Sequence, residues 1–292
     1  MLKLCPKIRA KVLVEPEFGY VGQITFRNGK RTFFRNRNSS INSHGAVEIA
    51  RDKGYTSFFL RHMGYNAPEE QTFFSSTWCK NLSSRRNVNA AGTFASRLGY
   101  PVIVKPNHEG TSKGIGERSV VKTQEELLET VQALWKKFQS PVLCEEYIEG
   151  REFTIGVLGN STLKILGPME IAFSEVSGKY PVYSFEHKQA NPVDNKFFHL
   201  DCPVTLGREL DRRILAFTRR TFRSLGCRDV ARIDFRMDAK GNLFFLEINP
   251  LPGLAPGFSD LVVMAEKCQM SYESLIKRIL TPAIQRWRSS SG

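Results

Sequence analysis

The run Val230-Ala-Arg-Ile-Asp-Phe235 is followed, across the turn Asp238-Ala-Lys-Gly-Asn242, by Leu243-Phe-Phe-Leu-Glu-Ile-Asn249. Both runs are short and apolar and predict β-strands, and the Gly-containing turn between them allows the strands to pair. Side chains two residues apart lie on the same face of a strand. The residues predicted to project into one cleft are Arg232 and Asp234 on the first strand and Glu247 and Asn249 on the second.

These four residues have the chemistry of a metal and phosphate site. Two carboxylates and an amide oxygen are hard ligands for Mg²⁺, which proteins usually hold with few carboxylates and with substrate phosphates. An arginine beside them can pair with a phosphoryl oxygen in a bidentate manner. Surface salt bridges on a hairpin are the alternative, but charges within apolar runs are costly to bury unpaired. The pattern favours Asp234, Glu247 and Asn249 as metal ligands.

A second candidate segment begins with Lys105, at the end of the apolar run Val102–Lys105. The loop Glu109-Gly-Thr-Ser-Lys-Gly-Ile-Gly116 follows it. Small residues and hydroxyls in such a loop can present backbone N–H groups to phosphates, and the lysine can add a point charge. The loop matches neither the Walker A pattern nor the dinucleotide fingerprint. A plain Gly-rich turn explains it equally well.

A third candidate is Pro141-Val-Leu-Cys-Glu-Glu-Tyr-Ile-Glu-Gly-Arg-Glu152. An apolar strand that leads into a short linker could bind an adenine edge through its backbone groups. Glu152 would then accept hydrogen bonds from ribose hydroxyls. Two strands joined by a turn, without a ligand, explain the segment equally well.

Composition places the chain among ordinary globular proteins. Its 292 residues are 41% hydrophobic and 24% charged, which excludes disordered, collagen-like and coiled-coil classes. No run of about 18 apolar residues occurs, so no membrane span is predicted. The N-terminus lacks the apolar core of a signal peptide, and the six cysteines lack the two-residue gap of zinc and redox motifs. We therefore expect a cytoplasmic location, reduced cysteines and, from the length, two domains.

Positive charge is concentrated towards the N-terminus. The net charge is +13, and residues 1–100 carry 16 Lys and Arg against 6 Asp and Glu. Such an excess can attract nucleic acid, steer a polyanion such as a nucleotide, or form a basic surface without a dedicated partner. Because no compact basic-aromatic module or zinc-finger spacing occurs, a nucleic-acid partner is not favoured.

Strand and helix patterns alternate along the chain without a strict βαβ rhythm, which favours an α+β (mixed α/β) fold. Asn28-Gly29 between alternating apolar runs predicts a hairpin. Thr123 and Glu126 form a capping-box pattern that opens a helix. The other predicted elements are helices over 46–63 and 207–225, strands near 141–146, 153–158 and 162–171, a loop over 174–200, and terminal helices up to about residue 287.

In this order the segments resemble the ATP-grasp superfamily, and most closely its D-alanine–D-alanine ligase-like branch. Asp52-Lys53 at the start of a helix matches the opening of that family's central domain. The other matching pieces are Pro101-Val-Ile-Val-Lys-Pro, Glu-Gly-Thr-Ser-Lys-Gly-Ile, Glu-Glu-Tyr-Ile-Glu-Gly-Arg-Glu-Phe-Thr, Arg-Ile-Asp-Phe and Leu-Glu-Ile-Asn-Pro-Leu-Pro-Gly-Leu. The resemblance covers roughly residues 45–285. It implies two α+β subdomains that grip ATP, at about 45–150 and 151–285, with a short hairpin-containing segment at 1–44 and a tail at 286–292.

The resemblance also implies a role for individual residues. Lys53 and Lys105 would contact the ATP phosphates, and the loop of Glu109, Gly110, Thr111, Ser112 and Gly114 would close over them. Glu145, Glu146, Tyr147 and Ile148 would form the adenine hinge, and Glu152 would hold the ribose. Glu186 and Lys188 would belong to a mobile loop at nucleotide and substrate. Asp234, Glu247 and Asn249 would bind two Mg²⁺ ions, with Mn²⁺ as a substitute. Arg232, Lys188 and Ser112 would act in catalysis, and Arg232, Gly253, Ser259 and Leu261 would contact the substrate.

The implied reaction joins a carboxylate to an amine at the expense of ATP, through an acyl phosphate, on amino acids or peptides. Homodimers are common in the resembling family. The chain departs from the D-alanine ligase pattern in three places: few residues precede residue 45, Gln189 replaces a tyrosine, and the loop after Asn249 is longer. Two other interpretations therefore stay open. One is a ligase of the cyanophycin or glutathione type, and the other is a nucleotide- or nucleic-acid-binding relic without catalysis.

Overall fold

Three antiparallel sheets organise the residues that the computed structural model describes, which are 10–14, 16, 21–35, 41–74, 90–110, 112–184, 186–187 and 196–289. The strands are β1 Ala10–Val14, β2 Val21–Phe26, β3 Arg31–Arg35, β4 Glu70–Phe73, β5 Val102–Pro106, β6 Val120–Val121, β7 Val142–Glu146, β8 Arg151–Gly159, β9 Leu163–Phe173, β10 Phe198–Asp201, β11 Asp229–Met237 and β12 Leu243–Asn249. The α-helices are α1 His44–Arg51, α2 Lys53–His62, α3 Ala91–Leu98, α4 Gln124–Phe138, α5 Arg208–Ser224, α6 Asp260–Lys267 and α7 Tyr272–Ser289. The predicted α+β class is confirmed.

A four-stranded sheet in the order β4-β7-β5-β6 forms one wall of a cleft. Helices α3 and α4 cover it, and Phe73, Val104 and Leu127 are fully buried between them. Helix α4 begins where the capping pattern predicts, because the Thr123 hydroxyl accepts a hydrogen bond from the backbone N–H of Glu126 at 3.2 Å.

A five-stranded sheet in the order β10-β9-β8-β11-β12 forms the opposite wall. The predicted β11–β12 hairpin is confirmed, with Arg232 opposite Asn249 and Asp234 opposite Glu247. The register then shifts, because the next pair is Phe235 with Phe245, and this shift makes Leu246 the extra residue of a β-bulge.

The bulge has a direct effect on the direction of two side chains. Phe245 and Glu247 are two residues apart, so a regular strand would place both on one face. Instead Phe245 is buried beside Ile233 and Phe222 under helix α5, while Glu247 lines the cleft. Because of this one inserted residue, Phe245 can face the core and Glu247 can face the cleft although they are only two residues apart.

The N-terminal strands form a third sheet, β1-β2-β3, whose β2–β3 hairpin turns at the predicted Asn28-Gly29. Ile24 and Phe26 are buried in the same cluster as Leu158 of β8 and Ala283 of α7. This sheet therefore packs on the five-stranded half of the molecule.

Three boundaries differ from the sequence expectations. The helix predicted over 46–63 is broken at Asp52, whose extended backbone ends α1 and whose carboxylate caps α2 through the N–H of Tyr55 at 2.8 Å. Strand β10 lies at the end of the stretch predicted as a loop, where it pairs with β9. Helix α7 reaches Ser289, past the boundary placed at residue 286. In addition, Ala46 and Leu60 of α1 and α2 pack on the five-stranded sheet, although both helices were assigned to the central subdomain.

Two further expectations concern membranes and cysteines. Within the described ranges, the helices lack the combination of length and apolarity needed to cross a membrane. The described cysteines, Cys144, Cys202, Cys227 and Cys268, are free thiols. The remaining two, at positions 5 and 79, lie outside the described residues.

Candidate active site

A cleft of about 750 Å³ lies between the four-stranded and five-stranded sheets and brings together ten of the predicted site residues. The predicted residues that line it are Lys105, Ser112, Glu145, Glu146, Tyr147, Ile148, Glu152, Arg232, Asp234 and Glu247. Four polar residues that the sequence analysis did not single out also line it, namely Thr154, Tyr183, Arg236 and Asp260.

The predicted metal ligands lie on paired strands. Asp234 and Glu247 are cross-strand partners, and the Asn249 amide donates to Glu247 Oε1 at 2.7 Å. The hydroxyl of Thr154, opposite Asp234 on β8, donates to Asp234 Oδ1 at 2.5 Å. Because every one of these side chains is fixed by a strand register, the two carboxylates are held at the cleft floor.

Arg232 is held by two carboxylates from different elements. Its Nε and one terminal nitrogen donate to Asp234 at 2.9 and 2.7 Å, and the other terminal nitrogen donates to Asp260 at 2.8 Å. Burial acts to lower the pKa of Arg232, but Asp234 and Asp260 outweigh it and the pKa is raised. The guanidinium therefore stays charged at any pH at which the protein is folded.

The donor set fits a divalent cation that is shared with phosphate. In the described part of the chain, no group of three or more His, Cys, Asp and Glu side chains could hold a metal by itself. Two carboxylates and an amide leave coordination positions for phosphate oxygens, which is the usual arrangement for Mg²⁺. Each carboxylate is matched by a cation, Asp234 by Arg232 and Glu247 by Lys53 at 3.7 Å.

Lys53 lies at the start of α2, where it joins that helix to the Gly-rich loop. Its ammonium group donates to the backbone carbonyl of Asn107 at 3.4 Å and to that of Glu109. Burial lowers the pKa of Lys53 below 10.5, although Glu247 acts in the opposite direction. Gly54, the next residue, allows α2 to approach β4 closely, because a Cβ there would lie 2.3 Å from the Thr72 hydroxyl.

The Gly-rich loop turns back over the cleft through two tight positions. Ser112 has a positive φ of 55°, and its carbonyl accepts from the N–H of Ile115 at 2.9 Å. Gly114 has a φ of 77°, and a Cβ there would meet Pro106 and Phe138 at 2.7 Å. Gly110 accepts a hydrogen bond from the N–H of Lys113, which closes the turn. Thr111 lies outside the described residues.

Lys105 and Glu145 form a buried ion pair on the opposite wall, with Nζ and Oε1 2.5 Å apart. They lie on adjacent strands, β5 and β7. Glu146 is the last residue of β7 and donates its N–H to the carbonyl of Glu69, and just beyond the strand the Tyr147 hydroxyl donates to the carbonyl of Pro181. This is where the sequence predicts the adenine hinge.

Arg236 supports that hinge from the other sheet, and the sequence analysis missed it. Its guanidinium donates to Glu152 Oε2 at 3.0 and 2.8 Å and to the carbonyl of Ile148 at 2.9 Å, and it stacks on the Tyr147 ring at 4.8 Å. Both bonds to Glu152 use one carboxylate oxygen, so Oε1 is the oxygen that can accept from a ribose hydroxyl.

Glu186, which the resemblance assigns to a mobile loop, lies beside a neighbouring cavity. Glu186 and His187 line it together with Lys122 and Tyr180. A Cβ built at Gly116 would lie 3.9 Å from Glu186 Oε2, so Glu186 faces the end of the Gly-rich loop. Lys188 lies outside the described residues.

The predicted substrate loop requires a correction. Leu261 is fully buried in the core beneath β8, and its side chain reaches Gly156, so this side chain does not line the cleft. The hydroxyl of Ser259 accepts from the N–H of Ala255 at 3.0 Å and closes the loop. Gly253 lies half-buried in the same loop. The residue between the two predicted ones, Asp260, is the one that enters the cleft.

Some of the missed residues carried a sequence signal. Arg236 follows Asp234 by two residues, and Thr154 follows Glu152 by two, so strand alternation alone places them on the cleft face. Asp260 and Tyr183 lie in no strand, and only the tertiary structure brings them to the cleft.

Comparison with known proteins identifies the family. The family model described as D-ala D-ala ligase C-terminus matches residues 59–281. The D-alanine–D-alanine ligase of Geobacter sulfurreducens is 34% identical over 189 residues, which cover 65% of this chain and 55% of that protein. The uncharacterized protein y4sG of Sinorhizobium fredii is 35% identical over 190 residues, with 65% of this chain and 54% of that protein covered. The chain thus spans little more than half the length of these relatives.

A solved structure with the same fold is the D-alanine–D-alanine ligase from Bacillus anthracis complexed with ATP. The TM-score is 0.64 at 21% identity, and 86% of this chain and 71% of that one are covered. The D-Ala:D-Ser ligase VanG from Enterococcus faecalis also has a TM-score of 0.64, with 82% and 63% covered. These likenesses confirm the predicted ATP-grasp fold. The chain belongs to the family described as D-ala D-ala ligase C-terminus.

Proposed function

We propose that this protein is an ADP-forming ligase that uses ATP and Mg²⁺ to join a carboxylate to an amine through an acyl phosphate. The observation that carries the proposal is the cross-strand pair Asp234 and Glu247, each matched by a cation, on the floor of the cleft. The opposite wall of the cleft holds the Lys105–Glu145 pair and the predicted adenine hinge. Membership of a ligase family supports the same conclusion.

The nucleotide would lie between the two sheets. Its base would contact the backbone of residues 145–148, and its ribose would donate to Glu152, whose orientation Arg236 fixes. Its phosphates would extend towards Lys105 and Lys53, with backbone N–H groups of the Gly-rich loop above them. In this arrangement the buried lysines exchange their carboxylate and carbonyl partners for phosphate oxygens.

Asp234, Glu247 and Asn249 would hold Mg²⁺, as two ions with phosphate oxygens completing their coordination, and Mn²⁺ would substitute. The bound cation neutralises charge on the phosphates. Arg232 lies beside these ligands and would donate hydrogen bonds to the transferring phosphoryl group, where fixed donors stabilise developing charge.

The proposed reaction has two steps. A substrate carboxylate oxygen forms a bond to the γ-phosphorus as the bond to ADP breaks, which gives an acyl phosphate. The nitrogen of an amine then attacks the acyl carbon, inorganic phosphate leaves with the C–O electron pair, and the amine loses a proton. No side-chain nucleophile is required, so catalysis rests on orientation and on charge stabilisation.

The substrates proposed are amino acids or short peptides, with D-alanine among the candidates because the Geobacter sulfurreducens and Bacillus anthracis proteins are named as D-alanine–D-alanine ligases. A cytoplasmic location, where ATP is supplied, and a homodimer belong to the same proposal. Sedimentation of the purified chain tests the dimer directly.

The test of the activity is ADP formation from ATP and Mg²⁺ across a panel of single and paired D- and L-amino acids and short peptides. We expect one pair to stimulate ADP release and to give an amide product of matching mass. Glu247→Gln should abolish this release while Glu129→Gln, on the exposed face of α4, leaves it unchanged. Unchanged release in Glu247→Gln would refute the proposed site.

A further inference from the structure

Asp260 is a carboxylate of the cleft that the predicted machinery does not use. It is the first residue of α6 and receives a hydrogen bond of 2.8 Å from Arg232. Both side chains are 11% exposed, so the pair is largely shielded from water. A shielded ion pair between a sheet and a helix needs a reason beyond surface solubility.

The reason lies in a conflict over Asp234. Arg232 donates to both oxygens of that carboxylate, and Thr154 donates to one of them. A metal ion bound by Asp234 would need an oxygen that Arg232 now occupies. If Arg232 had no other carboxylate partner, binding the ion would leave a nearly buried guanidinium dependent on the nucleotide phosphate alone for a counter-charge, which is unfavourable.

Asp260 supplies that second partner from an independent element. The positive end of the α6 dipole stabilises a negative side chain in its first turn. The helix is anchored on the core by the fully buried Leu261, and the preceding loop is closed by the Ser259–Ala255 bond. Asp260 can therefore stay in place while the Asp234 carboxylate turns towards a cation.

We propose that Asp260 is a positioning residue that holds the Arg232 guanidinium in the cleft when Asp234 is taken up by the metal. The inference rests on the proposed function, in which Asp234 is a metal ligand and Arg232 faces the phosphoryl group. Asp260 thereby allows Arg232 and the metal ion to lie beside the same carboxylate, that of Asp234.

The test is a double-mutant cycle on cation binding, which requires no turnover. The affinity of the full chain for Mn²⁺ with a non-hydrolysable ATP analogue is measured by calorimetry for wild type, Asp260→Asn, Arg232→Gln and the double variant. We expect Asp260→Asn to weaken Mn²⁺ binding by about 10-fold or more in the presence of Arg232, as supporting groups around metal sites do. In the Arg232→Gln background the same change should weaken binding by less than about twofold, because the residue on which Asp260 acts is gone.

Two controls separate positioning from folding and from simple charge. Glu266→Gln removes an exposed carboxylate of the same helix and should leave Mn²⁺ binding unchanged. Asp260→Glu keeps the carboxylate and should lose less affinity than Asp260→Asn. Equal losses in both Arg232 backgrounds would mean that Asp260 acts on the cation directly or through the fold, and would overturn the proposal, as would no loss at all. A wild type that binds Mn²⁺ and nucleotide but forms no amide product would refute the ligase activity while the cycle still reports on Asp260.

Discussion

Lys53, in the first turn of α2, places its ammonium nitrogen 3.7 Å from Oε2 of Glu247 in β12. The same nitrogen donates to carbonyls at the base of the Gly-rich loop. One buried cation therefore contacts the start of a helix, the Gly-rich loop and a proposed metal ligand, which are far apart in the chain. This contact links the nucleotide half of the proposed site to its metal half.

The pH dependence of stability should reveal this burial. Burial lowers the pKa of Lys53 in the folded protein below 10.5. A lysine with a lowered folded-state pKa binds fewer protons when folded than when unfolded, so stability rises with pH between the two values. In urea unfolding from about pH 8 to 10.5, the stability of wild type relative to Lys53→Met should therefore increase with pH. Lys136→Met, at an exposed position of α4, serves as the control and should show no such slope.

The Thr154 hydroxyl should tune the proposed metal site. It donates to Asp234 Oδ1 at 2.5 Å from a buried position. Thr154→Val keeps the shape of the side chain but removes the donor, and we expect Mn²⁺ affinity to fall about 10-fold, in line with other supporting hydrogen bonds at metal sites. Thr154→Ser restores the donor and should recover the affinity. Equal Mn²⁺ affinity in Thr154→Val and wild type would contradict this role.

Arg236 should be essential for stability. It is 4% exposed, and its guanidinium donates hydrogen bonds to Glu152 and to the carbonyls of Ile148 and Pro181. Arg236→Met would leave the Glu152 carboxylate unpaired, and we expect the free energy of unfolding to fall by about 3–5 kcal/mol. Adding Glu152→Gln should recover part of this loss, because no charge is then left unpaired. Chemical denaturation measures both changes. A double variant as unstable as the single one would show that packing, not charge, dominates.

Two glycines at the starts of neighbouring helices should respond in opposite directions to alanine. A Cβ at Gly54 would lie 2.3 Å from the Thr72 hydroxyl, so Gly54→Ala should destabilise by about 1–3 kcal/mol through overpacking. A Cβ at Gly45 meets nothing within 4 Å, and Gly45→Ala should stabilise by up to about 1 kcal/mol through helix propensity. Thermal melting of both variants checks the pair. If Gly54→Ala and wild type have the same melting temperature, helix α2 does not need its close approach to β4.

Local sequence patterns account for most of the secondary structure. The sequence predicts β8, β9 and the β11–β12 hairpin within two residues of their observed ends, and the Thr123 cap predicts the start of α4. Patterns fail where a single residue changes the backbone direction. Asp52 breaks a helical pattern because its side chain caps the following helix more favourably than it continues the first.

The cleft residues likewise divide into those that local sequence patterns predict and those that depend on how the strands pair. Side chains at alternate positions of one strand, such as Arg232, Asp234 and Arg236, share a face for a geometric reason that is local to the chain. The bulge at Leu246 depends instead on how β12 pairs with β11, and it reverses the faces of the residues that follow it.

The sequence by itself therefore determined most of the strands, the order of the motifs and the carboxylates of the proposed metal site, because these depend on residue type and on short spacing. The tertiary structure alone decided that Lys53 is the cation beside Glu247 and that Asp260 is the second carboxylate beside Arg232. Ion pairs of this kind join elements that are distant in the chain. Their partners are set by the packing of helices on sheets, which short-range patterns do not encode.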